Sequence, residues 1–244
     1  MFAFDDSSTA GDRTRVAFRK LLSRWALPQY CIFCGCADTQ SALCAGCRDD
    51  LPGHDAPRCP VCADLAPQAQ TCGQCLAHPP RFSHVVCAVS YRFPVDGAIQ
   101  RLKYGAQLAL VDPLADLLAR RVAGEPRPDL VVPMPLGALR LRERGFNQAL
   151  EIARALSKRL NLSLAPHACR RVRDTAPQAG LPFDQRRKNV RGVFACDENL
   201  DGAHVAVVDD VITTGETLNE AARTLLRAGA SKVVGWAVAR TPRG

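Results

Sequence analysis

Short valine-rich runs recur from about residue 81: HVVCAVSYRF (84–93), DLVVPMP (129–135), HVAVVDD (204–210) and KVVGWAVAR (232–240). They are apolar at successive rather than alternate positions, as strands buried on both faces are. Between them, VDGAIQRLKY (95–104), VDPLADLLARRV (111–122), GFNQALEIARALSKRL (145–160) and TGETLNEAARTLLRAG (214–229) space their apolar residues three and four apart, as helices do. In the last of these Leu218, Ala221, Ala222, Leu225 and Leu226 share one face, and Gly229 supplies a stop. Strand and helix in alternation predict an α/β fold with a parallel sheet flanked by helices. Further upstream, Val16, Phe18, Leu21, Leu22 and Trp25 lie at roughly helical spacing among arginines. They predict an amphipathic helix that packs on the segment behind it, with lipid or nucleic acid as alternative partners.

Residues 31–75 break this texture. Four C-x-x-C pairs, Cys31/Cys34, Cys44/Cys47, Cys59/Cys62 and Cys72/Cys75, form two copies of the spacing C-x2-C-x9-C-x2-C. Each pair is a tight turn that aims two sulfurs at one point, and two such turns complete a tetrahedral zinc shell with no position left for water. Two structural Zn2+ ions are expected, one per repeat, with cross-bracing between repeats as the other arrangement. A disulfide framework or a thioredoxin-like redox pair fits the spacing less well. Cys36 reads as a bystander, and Cys87, Cys169 and Cys196 as small buried hydrophobes. A module of this size has too small a core to fold without its metal. Three segments are expected: a helical region over 1–28, the zinc module over 29–80 and the α/β domain over 81–244.

A chain of 244 residues with formal charge +8 invites an anionic partner. Each four-thiolate zinc site carries −2, however, so two of them halve that charge and weaken the case for nucleic acid. No apolar run reaches the roughly 20 residues of a membrane span, and the N-terminus lacks the apolar core of a secretory signal, so a cytoplasmic location is expected.

The stretch VVDDVITTGETL (207–218) carries the chemistry. An apolar strand ends on two acids, a turn of small residues follows, and a helix begins. Backbone N–H groups at that helix N-terminus, helped by hydroxyls, make a cradle for a phosphate. Carboxylates cannot hold phosphate but accept hydrogen bonds from the vicinal hydroxyls of a sugar. The bland alternative is a strand-to-helix connection with solvated acids. No Walker A spacing is present. Residues 140–148 add Arg140, Arg142 and Arg144 after another strand, with Gly145 and then Asn147 and Gln148 as donors at a helix start. Residues 170–191 hold seven Arg or Lys against two acids around PQAGLP, and read as a flap.

The acids followed by T-G-x-T resemble the signature of type I phosphoribosyltransferases, which bind 5-phosphoribosyl-1-pyrophosphate (PRPP). That resemblance puts Asp209 and Asp210 on the ribose hydroxyls, with Thr213, Thr214, Gly215, Glu216 and Thr217 around the 5′-phosphate. Glu216 is an odd residue there and is expected to face solvent. VVPMPLGALRLRERGFNQALEIA and RDTAPQAGLPFDQRRKNVRGVF narrow the likeness to the ComF/GntX family, a zinc module followed by a phosphoribosyltransferase-like domain. The shared pattern appears as Arg144, Gly145, Phe146, Asn147 and Gln148, then Thr175, Gln178, Leu181, Arg186 and Asn189, with Lys103 in RLKYG.

The resemblance implies PRPP with Mg2+, Asp209 and Asp210 orienting the ribose, and Arg144 with Lys103 or Arg186 stabilising the departing pyrophosphate. It leaves the acceptor open between a base and a nucleic acid. A phosphoribosyltransferase is the first functional expectation. The second is a non-catalytic PRPP-responsive protein in DNA uptake that binds single-stranded DNA. The third is a zinc-bearing interaction module with a residual ligand site. A homodimer is left open.

Overall fold

The computed structural model describes residues 29–38, 42–53, 55–173 and 190–242. The helix expected within 1–28 and most of the expected flap, 174–189 with Thr175, Gln178, Leu181, Arg186 and Asn189, lie outside the described residues. Two compact units divide between Arg48 and Asp49.

In the first unit, β1 (Gln29–Tyr30) pairs antiparallel with β2 (Ala37–Asp38), followed by the short helix α1 (Ala45–Asp49), which crosses the division. The backbone closes a knuckle at Cys31, whose N–H donates to the Cys36 carbonyl while its carbonyl accepts from the Gly35 N–H. Gly35 takes the left-handed φ of +71° that this turn requires.

The second unit opens with the same knuckle 28 residues on, Cys59 standing for Cys31. Cys59 N–H donates to the Asp64 carbonyl, and its carbonyl accepts from Ala63 at φ +56°. The helix α2 (Gly73–Ala77) repeats α1. The α/β part follows as β3 (Val85–Ser90), α3 (Val95–Gly105), α4 (Val111–Val122), β4 (Leu130–Pro133), α5 (Ala138–Arg144), α6 (Gln148–Leu160), β5 (Arg170–Arg171), β6 (Phe194–Ala195), β7 (His204–Ile212), α7 (Glu216–Arg227) and β8 (Lys232–Arg240).

Strands β3, β8, β7 and β4 form, in that order, an all-parallel four-stranded sheet. A single bridge at Leu164 extends it beyond β4, and β5 and β6 make a separate antiparallel ribbon. Every residue of β3 is buried, as expected of a strand covered on both sides. On one side Val85, Cys87, Val205 and Val207 form a core with Leu218, Ala221, Ala222 and Leu225 of α7. Helix α4 packs on α6, β3 and β8. Helix α7 sits so close to β8 that a Cβ on Gly235 would collide with Leu218 Cδ2, so any larger residue there would force Leu218 to shift.

The α/β class and the parallel sheet expected from the periodicity are what the molecule has. Helix α4 spans the expected 111–122, whereas the sheet strand that carries the two acids runs two residues past them, to Ile212.

Candidate functional site

The eight paired cysteines gather as Cys31, Cys34, Cys44 and Cys47, and as Cys59, Cys62, Cys72 and Cys75, with all sulfurs of a set within 4.8 Å of one another. Pairing is therefore within each repeat. The Cys34–Cys44 and Cys62–Cys72 sulfur separations are both 3.7 Å. A tetrahedron with Zn–S bonds of ~2.3 Å has edges of about 3.8 Å, so both sets have the size of a zinc shell and neither is disulfide-bonded. Burial pushes the Cys31 and Cys59 thiols up, but backbone N–H groups at the knuckles outweigh it and bring them down to about 6 and about 7. Amide donors that favour thiolate are what a metal-binding turn supplies. Cys36 stands outside the first set, and Cys87 and Cys169 are buried, as expected.

At the carboxyl end of β7 the bland alternative of two solvated acids does not hold for Asp210. It is 3% exposed and lies 2.7 Å from Lys103 Nζ, a close ion pair that lacks hydrogen-bond alignment. Strand β7 continues to Ile212 along β8 but has lost β4 after Val208, so the two acids sit in the strand beside the open end of its neighbour. Asp209 is half-buried, and its carboxylate accepts from the Asp210 N–H at 2.9 Å. Burial first, and then the adjacent Asp210 charge, raise the Asp209 carboxyl well above the usual carboxylate range. For Lys103, burial works against the charge but Asp210 outweighs it, and its pKa is raised.

After Ile212 the chain turns through Thr213 to Gly215, which adopts φ +85° and caps α7. Thr213 is exposed, while Thr214, Gly215, Glu216 and Thr217 are half-buried. Thr214 Oγ1 accepts from the Glu216 N–H at 3.4 Å. Glu216 lines, with Thr214, Gly215 and Asn219, an open cavity of about 270 Å³ whose other wall is the second cysteine repeat.

Helix α3 draws the remaining candidates together through two consecutive residues. Lys103 reaches Asp210, and Tyr104 lies under Arg144, whose guanidinium carbon is 5.1 Å from the ring centroid. Arg144 ends α5, where Gly145 at φ +78° closes the helix, and donates to Gln148 Oε1 at 3.1 Å. Asn147 caps α6 by accepting from the Ala149 N–H and donates Nδ2 to the Met134 carbonyl. Asn147 and the buried Gln148 therefore fix the turn that carries Arg144, whereas the sequence suggested them as ligand donors. Arg140 and Arg142 are exposed on α5, and Arg186 lies outside the described residues.

Arg240 and Tyr104 were not singled out from the sequence. Arg240, 1% exposed at the end of β8, donates to the carbonyls of Cys62, Ile212 and Thr241 at 3.0, 3.1 and 3.2 Å and lies 3.8 Å from Asp64. The signal was available: KVVGWAVAR places an arginine as the last residue of an apolar strand, where only carbonyls and a buried acid can receive it.

Residues 22–76 match a double zinc ribbon domain and residues 146–243 a phosphoribosyl transferase domain. The DNA utilization protein YhgH of Escherichia coli K12 is 36% identical over 224 residues, 83% of this chain and 99% of that protein. Competence protein F of Haemophilus influenzae is 35% identical over 211 residues, 82% of this chain and 91% of that one. The chain belongs to the ComF family. Competence protein ComFC of Bacillus subtilis is a more distant relative, 24% identical over 201 residues, 77% of this chain and 79% of that one. As in the family pattern, a double zinc ribbon precedes a phosphoribosyltransferase-like domain. Among the described residues no helix is long and apolar enough to cross a membrane.

Proposed function

We propose that this ComF-family protein binds PRPP with Mg2+ at the end of β7 and transfers the phosphoribosyl group to an acceptor. The observation that carries this reading is the passage from paired acids through a left-handed glycine into the N-terminus of α7, with Lys103 and Arg144 gathered beside it. Asp209 and Asp210 accept from the ribose hydroxyls, and residues 213–217 cradle the 5′-phosphate with backbone N–H groups and hydroxyls. Mg2+ arrives on the pyrophosphate oxygens as part of the substrate and offsets their charge. Transfer breaks the bond from C1 to the pyrophosphate oxygen and forms one from C1 to the acceptor, through an oxocarbenium-like centre that fixed charges and in-line placement stabilise. Arg144 is the cation assigned to the leaving group, with Arg186 as a second.

Lys103 and Arg144 already have partners, Asp210 in one case and Tyr104 with Gln148 in the other. Stabilising departing pyrophosphate requires them to serve the ligand alongside those partners. That requirement, with the names of the relatives, favours a second reading: a PRPP-responsive protein in DNA uptake that binds single-stranded DNA and does not turn over. We assign residues 29–80 to the zinc module and 81–244 to the ligand-binding domain, and place the protein in the cytoplasm, where thiolate sites stay reduced. Titration calorimetry of Mg·PRPP, followed by pyrophosphate release with nucleobases and with single-stranded DNA, separates the readings. Release with any acceptor supports the transferase, and binding without release supports the second reading.

A further inference from the structure

We propose that the second zinc ribbon is the back wall of the 213–217 loop, so that metal held by Cys59, Cys62, Cys72 and Cys75 is coupled to ligand binding in that loop. The inference rests on the PRPP reading for its ligand but on separate contacts for its geometry. Three contacts join the ribbon and its exit segment to the loop, all within one compact unit. Arg240 donates both to the carbonyl of Cys62, itself a member of the sulfur set, and to the carbonyl of Ile212, the last strand residue before the loop. The Arg81 N–H donates at 2.6 Å to Asn219 Oδ1 in the first turn of α7. The Phe82 ring lies 3.8 Å from where a Gly215 Cβ would stand. Cys62 and Cys75 line the same cavity as Thr214, Gly215 and Glu216.

Such bracing has a physical consequence. An anion cradle works through N–H groups fixed before the ligand arrives, and a loop that must order on binding gives up part of its affinity. Without a metal nothing ties the four sulfurs to one point, and this repeat has few other interior contacts: its own apolar cluster is little more than the cysteines with Ala66 and Val61. Loss of the metal therefore frees Cys62 and its carbonyl, unseats Arg240 at the buried end of β8, and releases Ile212 and the loop behind it. Linkage is reciprocal, so ligand in the loop must also hold the metal more tightly. Arg240, Asn219 and Phe82 are positioning residues in this scheme. None is assigned a contact with PRPP.

The test uses the full chain in two variants, Cys75→Ser, which opens the metal site, and Asn219→Ala, which leaves every cysteine in place but removes the Arg81 brace. Both are expected to weaken Mg·PRPP roughly fivefold or more by calorimetry and to speed amide hydrogen exchange in peptides covering 212–219. In the wild-type protein Mg·PRPP is expected to slow transfer of one of the two zinc ions to a chromogenic chelator. Wild-type affinity together with unchanged exchange at 212–219 in both variants overturns the proposal. If the wild-type chain binds no PRPP, the functional reading fails. Exchange at 212–219 then still decides this inference: faster exchange in both variants upholds the bracing, and unchanged exchange refutes it.

Discussion

Asp209 is held at a carboxyl value well above normal by burial and by the Asp210 charge beside it. The folded protein therefore keeps that proton to a higher pH than the unfolded chain does. Stability from this group is complete below the unfolded value near ~3.9 and is lost as pH rises through the folded value. Asp209→Asn is accordingly expected to raise the melting temperature at pH 7, by roughly 2–4 °C for each kcal/mol of repulsion removed, and to give no gain in acid. A variant that melts at or below wild type at pH 7 contradicts this. Replacing Asp210 is expected to lower stability instead. Its removal strands the half-buried Lys103 ammonium, so Asp210→Ala is expected to cost on the order of 3 kcal/mol, and Asp210→Ala with Lys103→Met to recover most of it in denaturant titrations. If the double variant is no more stable than the single one, the ion pair is not what holds that corner together. The sequence VVDD made both acids visible as a pair. It did not separate them into a half-buried carboxyl and a buried ion-paired one, because that depends on where α3 delivers Lys103, a contact more than a hundred residues away in the chain.

Among the elements, the long and strongly periodic ones were legible and the short ones were not. Strands β3, β4 and β8 and helices α4, α6 and α7 fall within the valine runs and the three-and-four spacings, and β7 and α3 overrun theirs by two residues and one. Helix α5 escaped because Leu139 and Leu141 are exposed, 59% and 43%, so its seven residues show no buried stripe to read. The ribbon of β5 and β6 pairs two residues with two, too few for any alternation. Gly235 shows how an element's placement reaches the site. It lets Leu218 settle onto β8 and so fixes the start of α7. Gly235→Ala is expected to destabilise by about 1–3 kcal/mol and to weaken Mg·PRPP in the same protein, read by thermal melting and calorimetry. Wild-type affinity in this variant means that the helix N-terminus tolerates the shift.

Across the whole molecule the two cysteine repeats are alike in spacing and knuckle geometry but belong to different compact units, the second sharing its unit with the sheet. The repeat itself was plain in the sequence. Its division was not, since nothing in a C-x-x-C spacing reports that a strand-end arginine 178 residues further on will bind a ligand's carbonyl. Two zinc ions per chain are expected by elemental analysis. Cys31→Ser is expected to retain one and to become protease-sensitive in the first repeat, whereas full metal content in that variant removes Cys31 from the ligand set. The central claim is that the end of β7 and the loop after it hold a sugar phosphate. Its most direct test is calorimetric titration of Mg·PRPP into the full chain and into the Asp209→Asn, Asp210→Asn double variant. Saturable binding by the wild-type protein, weakened at least about tenfold in a folded double variant by loss of the charged acceptors, is the predicted result. Equal affinity in both proteins, or no binding by the wild type, contradicts it.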